Sequence, residues 1–305
     1  MLIFLSFNLL FSQSNKLDSI STFEFRWSND FVYQTDRYYT NGFAIEYLKS
    51  QTEDSNLNSI LLTSKFNDLV VSGYTLIQDI FTPKAKFYIP DQLKDDRPFA
   101  SYILLGVKKL SFNEKTNIEL YSELQTGILG PSALGEQTQN GIHSTLPSGK
   151  VNGWENQISN SFMLNYSVRI QKYLRVTNPI EISGFASTQI GLPFTNVGAG
   201  IQSRIGMFSL FPEEFAYFSS KHLELYLILS TEINIVGYNA TLQGGLFSES
   251  IYTLNSINRV VGKGSIGFNL RYKTFRLKYS QQFLTPEFSG AAIHSWGFLS
   301  LIYAI

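Results

Sequence analysis

Residues 23–28 read FEFRWS, and residues 297–305 read GFLSLIYAI. In the first, Phe23, Phe25 and Trp27 alternate with Glu24, Arg26 and Ser28. In the second, Leu299, Leu301, Tyr303 and Ile305 share one face of a strand that runs to the last residue. Successive side chains of a strand point to opposite faces, so a period of two separates an apolar face from a polar one. The same pattern sets Phe43, Ile45 and Tyr47 against Ala44 and Glu46. A soluble sandwich also alternates, so the pattern alone does not choose between the two. Two features favour a sheet that faces lipid. Stretches such as Asn160–Tyr173 and Asn255–Lys273 are long for soluble strands. Phe, Tyr, Leu and Ile also continue along the apolar face to the strand ends, as aromatic girdles of a membrane barrel do.

Composition agrees. The 305 residues are 15% aromatic, with 25 Phe and 17 Tyr, yet only 16% charged. Mean hydropathy is -0.03. A helical membrane protein would be far more apolar, and beyond the N-terminus no run approaches the ~20 apolar residues of a spanning helix. The 24 Lys+Arg balance 24 Asp+Glu, which argues against a nucleic-acid partner. Cysteine is absent, excluding thiol nucleophiles, disulfide scaffolds and thiolate metal sites. His143, His222 and His294 are the only histidines.

Residues 1–11, MLIFLSFNLLF, precede Ser12, Gln13 and Ser14. A short apolar core followed by small and polar residues predicts a signal peptide over 1–13, although no basic residue precedes it. A barrel domain over 20–305 then follows. Alternation predicts twelve strands at about 20–28, 40–49, 69–80, 99–111, 116–128, 159–174, 178–190, 196–209, 221–236, 257–273, 274–286 and 293–305. Twelve is even, as a closed antiparallel barrel with both termini on one side requires. Links from even to odd strands are mostly short (112–115, 175–177, the turn near Thr274). Links after odd strands include long ones (29–39, 81–98, 129–158, 237–256). That asymmetry is expected for an outer-membrane barrel with short periplasmic turns and long outer loops. Residues 50–68 break it, as a long even-to-odd link.

The chemistry-bearing residues collect in three of the long loops. Residues 130–157 (GPSALGEQTQNGIHSTLPSGKVNGWENQ) lack strand alternation and are long for a passive link. Pro131 suits the first turn of a short helix, whose spacing brings Glu136, Gln139, Asn140 and His143 onto neighbouring faces. A polar helix has no reason to face lipid, so it is expected to fold over or into the barrel mouth. In the first loop, Asn29 and Asp30 end one strand and Thr40, Asn41 and Gly42 open the next. Strict parity turns Asp30 inward with Glu24, Arg26 and Ser28, turns Thr40 inward with Ala44 and Glu46, and points Asn29 at the wall. A carboxylate and a hydroxyl at one rim are hard oxygen ligands suited to Ca²⁺. The third loop, 78–100, brings Lys84, Lys86, Asp96 and Arg97 to the same end. Duller roles compete: Asp30 as a turn residue, the lysines as a solvated loop or a patch for anionic lipopolysaccharide, Trp154 as a packing anchor, His294 as a lumen or interface residue, His222 as structural.

The stretches NDFVYQTDRYYTNGFAIEY (29–47), QDIFTP…DDRPFASY (78–83 and 95–102), GILGPSALGEQTQNGIH (127–143) and GWENQ (153–157) resemble the outer-membrane lipid A 3'-O-deacylase family. The similarity spans Phe23 to about Gln157; the second half matches only as barrel strands. The resemblance implies a twelve-stranded barrel in the bacterial outer membrane, acting on lipid A, the anchor of lipopolysaccharide, by Ca²⁺-dependent hydrolysis of an acyloxyacyl ester. It assigns Asn29, Asp30 and Thr40 to the metal and active site, with Asp30 and Thr40 as metal ligands. It makes His143 the catalytic base and Lys86 a further catalytic residue. The family carries an acidic residue shortly after the histidine where this chain has Gly149, which leaves open what orients His143. The permitted mechanism is attack by water on the ester carbonyl, with His143 taking the proton and Ca²⁺ stabilising the oxyanion. Alternatives are a phospholipase-type esterase on the same scaffold and a non-catalytic, plugged barrel.

Overall fold

Alternation along the chain becomes a single closed sheet. The computed structural model describes residues 20–30, 37–50, 60–63, 69–84, 95–144, 149–177, 179–218, 223–246 and 249–305; the expected signal peptide lies outside them. Twelve antiparallel strands follow one another in sequence order. They are β1 (Ser21–Asn29), β2 (Tyr38–Ser50), β3 (Leu69–Thr82), β4 (Ala100–Asn113), β5 (Ile118–Leu129), β6 (Ser161–Thr177), β7 (Ile180–Gly191), β8 (Phe194–Met207), β9 (Leu223–Asn239), β10 (Val260–Tyr272), β11 (Phe275–Leu284) and β12 (His294–Ala304). Closure runs from Thr22↔Ala304 to Asn29↔Gly297, so every strand is paired on both sides. That is the condition for a sheet to cross hydrocarbon without an unsatisfied edge.

The two faces differ as the sequence requires. Phe23, Phe25, Leu76, Phe162, Ile201, Ile233 and Leu301 belong to the outer rows and are exposed. The inner rows carry charge and bury it in pairs: Arg26 and Glu24 in β1, Lys108 with Glu46, Arg204 with Glu181, and Arg271 with Glu224 at 3.1 Å. Buried ions need such partners, since desolvation of a lone charge is costly. Among the described residues no helix is long and apolar enough to cross a membrane; the crossing elements are strands.

Two even-to-odd links are long, and both have structural work. The link 208–222 contains a short 3-10 helix, Glu213–Phe218. Phe215 is fully buried among Leu48, Leu110, Phe112 and Tyr173, and Glu213 pairs with Lys278 and with Arg276 (3.6 Å). The link is therefore a plug at the turn end of the lumen. The described part of 50–68, residues 60–63, lies on the outer wall instead. Tyr166 Oη donates to the Ile60 carbonyl (3.0 Å) and accepts from the Leu62 amide (3.1 Å). Ser122 Oγ donates to the Leu62 carbonyl (3.0 Å). Lys109, Ser111 and Ser122 are outward by register yet buried, so this strap crosses a polar patch that lipid would not solvate. The parity rule for loop lengths fails once more at β7–β8, joined by Leu192 and Pro193 alone.

Candidate active site on the outer wall

A single inserted residue shapes this region. Tyr39 pairs with Phe81 and Asn41 with Ile80, leaving Thr40 as the extra residue of a β-bulge. Tyr39 points into the lumen, where its hydroxyl donates to Asp79 Oδ1 (2.8 Å). Asn41 points outward and accepts from Trp27 Nε1 (3.2 Å). Thr40 Oγ1 lies 3.1 Å from Thr82 Oγ1 and 3.4 Å from the Ile80 carbonyl. Thr82 shares the outward row of β3 with Ile80, so Thr40 faces the outer wall and not the lumen. Strict alternation put it inward beside Ala44 and Glu46; the bulge is what overturns that expectation.

Asn29, the last residue of β1, donates from Nδ2 to the Thr40 carbonyl (3.0 Å). Asp30 is 3% exposed and accepts the Arg37 amide on Oδ2 (3.1 Å). The hairpin therefore ties Asn29 to Thr40, while Asp30, next in sequence, holds the returning strand at Arg37. Lys86 lies outside the described residues, as does His222. Lys84 only donates its backbone amide to Asp96 (2.7 Å). Arg97 departs from the loop cluster: it is 1% exposed and bridges Glu287 (2.5 Å) and Thr241 (2.5 Å), locking three mouth links together.

The link after β5 turns through Pro131–Ala133 and enters α1, Gly135–His143. The helix lies against the outside of the barrel, contrary to the expectation that it folds over or into the mouth. Gln78, in the outward row of β3, donates to the Ala133 carbonyl (2.7 Å) and accepts from Thr138 Oγ1 (3.2 Å). A Cβ on Gly135 would come within 2.4 Å of Ser101 on the outer face of β4 and 2.9 Å of Trp154, so only glycine lets the helix backbone sit on the wall. Ile80, Phe99 and Trp154 form the dry seam beneath it, each almost fully buried. Trp154 is thus a packing anchor, and its Nε1 donates to Gln139 Oε1 (2.9 Å). Asn140 clamps the returning chain through both polar groups of Val151 (2.9 and 3.3 Å). Outward polar residues in the lipid row, Gln78, Thr82 and Ser101, were the unused sequence signal for this arrangement.

His143 closes α1 at its C-terminal end. Its Nδ1 lies 3.0 Å from the Gly149 carbonyl. A carbonyl can only accept, so Nδ1 carries the proton and the ring lone pair sits on Nε2. Gly149 has φ +73°, a left-handed conformation that favours glycine. The Gly149 carbonyl therefore orients the imidazole. His294, by contrast, faces the lumen, with Nε2 3.0 Å from the Tyr39 carbonyl and its ring stacked on Trp296.

The profile of the outer membrane protein LpxR family matches residues 1–305. The chain belongs to the LpxR family. It is accordingly an outer membrane protein. LpxR from Salmonella typhimurium has the same fold, with a TM-score of 0.74 at 20% identity, covering 92% of this chain and 99% of that one. The β domain of the Bordetella autotransporter BrkA aligns at a TM-score of 0.45 and 9% identity, over 93% of this chain and 97% of that one. OprB of Pseudomonas putida aligns at 0.35 and 7%, over 94% and 93%. Among curated proteins no match is found.

Proposed function

We propose that this LpxR-family barrel hydrolyses an ester-linked acyl chain of lipid A, the 3'-acyloxyacyl group, at the outer wall beside α1. The observation that carries this reading is the position of the helix. His143 hangs from an element seated on the lipid-facing side, where an acyl chain in the outer leaflet can reach it without entering the lumen. The Gly149 carbonyl holds the ring so that Nε2 takes a proton from water. The water oxygen attacks the ester carbonyl carbon, the C–O bond to the lipid breaks, and the departing alkoxide recovers the proton from the imidazolium. A free fatty acid and a lipid hydroxyl result. Asn29 ties the end of β1 to the bulge and holds this stretch of wall in place. Lys86 would supply a cationic contact for the substrate.

The donors along this stretch fit Ca²⁺. They are all hard oxygens, namely the Asp30 carboxylate, Thr40 Oγ1 and Thr82 Oγ1, with backbone carbonyls alongside. Among the described residues no three His, Asp or Glu groups cluster, so a cation there would take one carboxylate and several neutral oxygens. When bound, it would supply electrostatic stabilisation of the negative charge developing on the ester oxygen.

The test uses the purified, detergent-solubilised chain with lipid A as substrate. Hydrolysis should fall at least 100-fold with a Ca²⁺ chelator and return on adding Ca²⁺, and Asp30→Ala should not be rescued by it. Full activity in chelator would remove the cation from the reading. Release of acyl chains from phospholipid in preference to lipid A would move the substrate to phospholipids.

A further inference from the structure

On the other side of the same bulge is a cavity of about 330 Å³ at the mouth end of the lumen, within the ~300–1,000 Å³ range of small-molecule sites. Asn234, Gln189, Asn196 and Gln282 line it together with Tyr39 and Trp296. It is independent of the outer-wall site: the described His143 contacts lie across the sheet.

Its polar groups are built to meet a ligand. Asn234 is 2% exposed, and its Nδ2 has no hydrogen-bond partner, a costly state for a buried amide. Asn196 donates to Gln189 Oε1 (2.8 Å), presenting a linked pair of amides. Asp79 and Glu287 also border the cavity, and both are already satisfied. Asp79 accepts from Tyr39 and Tyr102 (2.8 and 2.5 Å), and Glu287 from Arg97 and Asn239 (2.5 and 3.1 Å). Lys263 stands opposite Glu232 in register. The wall thus offers amides, each both donor and acceptor, beside acids that already accept hydrogen bonds and one lysine that faces an acid in register.

An aromatic platform completes it. The Trp296 ring lies 5.0 Å from Tyr39 and stacks 5.4 Å from His294 at 17°. The link that carries Phe215 packs at the turn end of the barrel, and this cavity lies at the opposite, mouth end. Paired donors and acceptors beside an aromatic face suit a molecule that carries many hydroxyls on an apolar ring. We propose that the lumen cavity binds an uncharged saccharide, with Asn234 as its central polar contact and Trp296 as its platform.

The sugar portion of a surface glycolipid and a free extracellular sugar share this chemistry. The experiment titrates the full chain in detergent with methyl β-glucoside, methyl β-galactoside and N-acetylglucosamine, by calorimetry and tryptophan fluorescence, with gluconate and glucosamine as charged counterparts. Saturable binding of a neutral glycoside is expected, weakened at least tenfold in both Asn234→Ala and Gln189→Ala. Heat-modifiable mobility and ester hydrolysis should be retained in both variants, which separates this site from the outer-wall reading. Displacement by lipopolysaccharide in mixed micelles would assign the site to a glycolipid; lack of displacement would assign it to a free sugar. No saturable binding of any neutral glycoside, equal affinity in both variants, or tighter binding of the charged analogues would overturn the proposal.

Discussion

At His143 a backbone carbonyl stands where a carboxylate is common. A carbonyl fixes the tautomer as a carboxylate would, but adds no charge to stabilise the imidazolium that the proposed proton transfer requires. Its position depends on Gly149 keeping φ +73°. Gly149→Ala would place a Cβ in that left-handed conformation at a cost of ~1 kcal/mol. The expected result is a drop in kcat of about fivefold, comparable to that energy, with KM and barrel mobility unchanged. Trp154 acts through packing. It is 1% exposed, it shares the seam beneath the helix with Ile80 and Phe99, and removing a buried Trp side chain costs ~3–5 kcal/mol. Trp154→Ala should release α1 from the wall and cut hydrolysis at least tenfold. Limited trypsin cleavage at Lys150 should become faster, and the intact barrel should still show heat-modifiable migration.

At the scale of elements, the strands were legible and the irregularities were not. Alternation located all twelve strands because a lumen of charge against a wall of lipid enforces a strict period of two. The bulge at Thr40 escaped it, since one inserted residue reverses parity with no change of composition. The candidate residues Asn29 and Asp30 were readable from their place at a strand end, whereas the outward turn of Thr40 and the role of the Gly149 carbonyl were not. A backbone group leaves no mark in a sequence. The outer seat of α1 left a weak one, the polar residues Gln78, Thr82 and Ser101 in a row otherwise meant for lipid. Residues 60–63 answer a similar patch at Lys109, Ser111 and Ser122. The plug link carries a testable electrostatic consequence. Burial raises the Glu213 carboxyl, but Lys278 and Arg276 beside it lower it further, and the group ends below its ordinary range. A depressed carboxyl contributes stability above its unfolded value of ~4.3 and loses it as pH falls through the folded value. The plug should therefore hold at neutral pH. Planar-bilayer conductance should stay closed at pH 7, rise progressively below about pH 4, and be raised already at pH 7 in Glu213→Gln.

At the scale of the whole molecule, the barrel separates two environments that share one bulge. The lumen side of β2 presents Tyr39 to a polar cavity; the outer side presents Thr40 toward Thr82 of β3 and Asn41 toward Trp27 of β1. The lumen is lined by charged side chains such as Arg26, Glu123 and Arg169, a poor path for an acyl chain, so the proposed substrate meets this protein from the bilayer. The proposed hydrolysis thus depends on His143 activating water at the outer leaflet. Its most direct test is mass spectrometry of lipid A from cells that express the wild-type chain or His143→Gln at equal levels, both shown to be folded by heat-modifiable mobility. Lipid A lacking one ester-linked acyl chain with the wild type, and unmodified lipid A with the variant, is the predicted result. Deacylated lipid A in the His143→Gln cells, or no change with either chain, would contradict it.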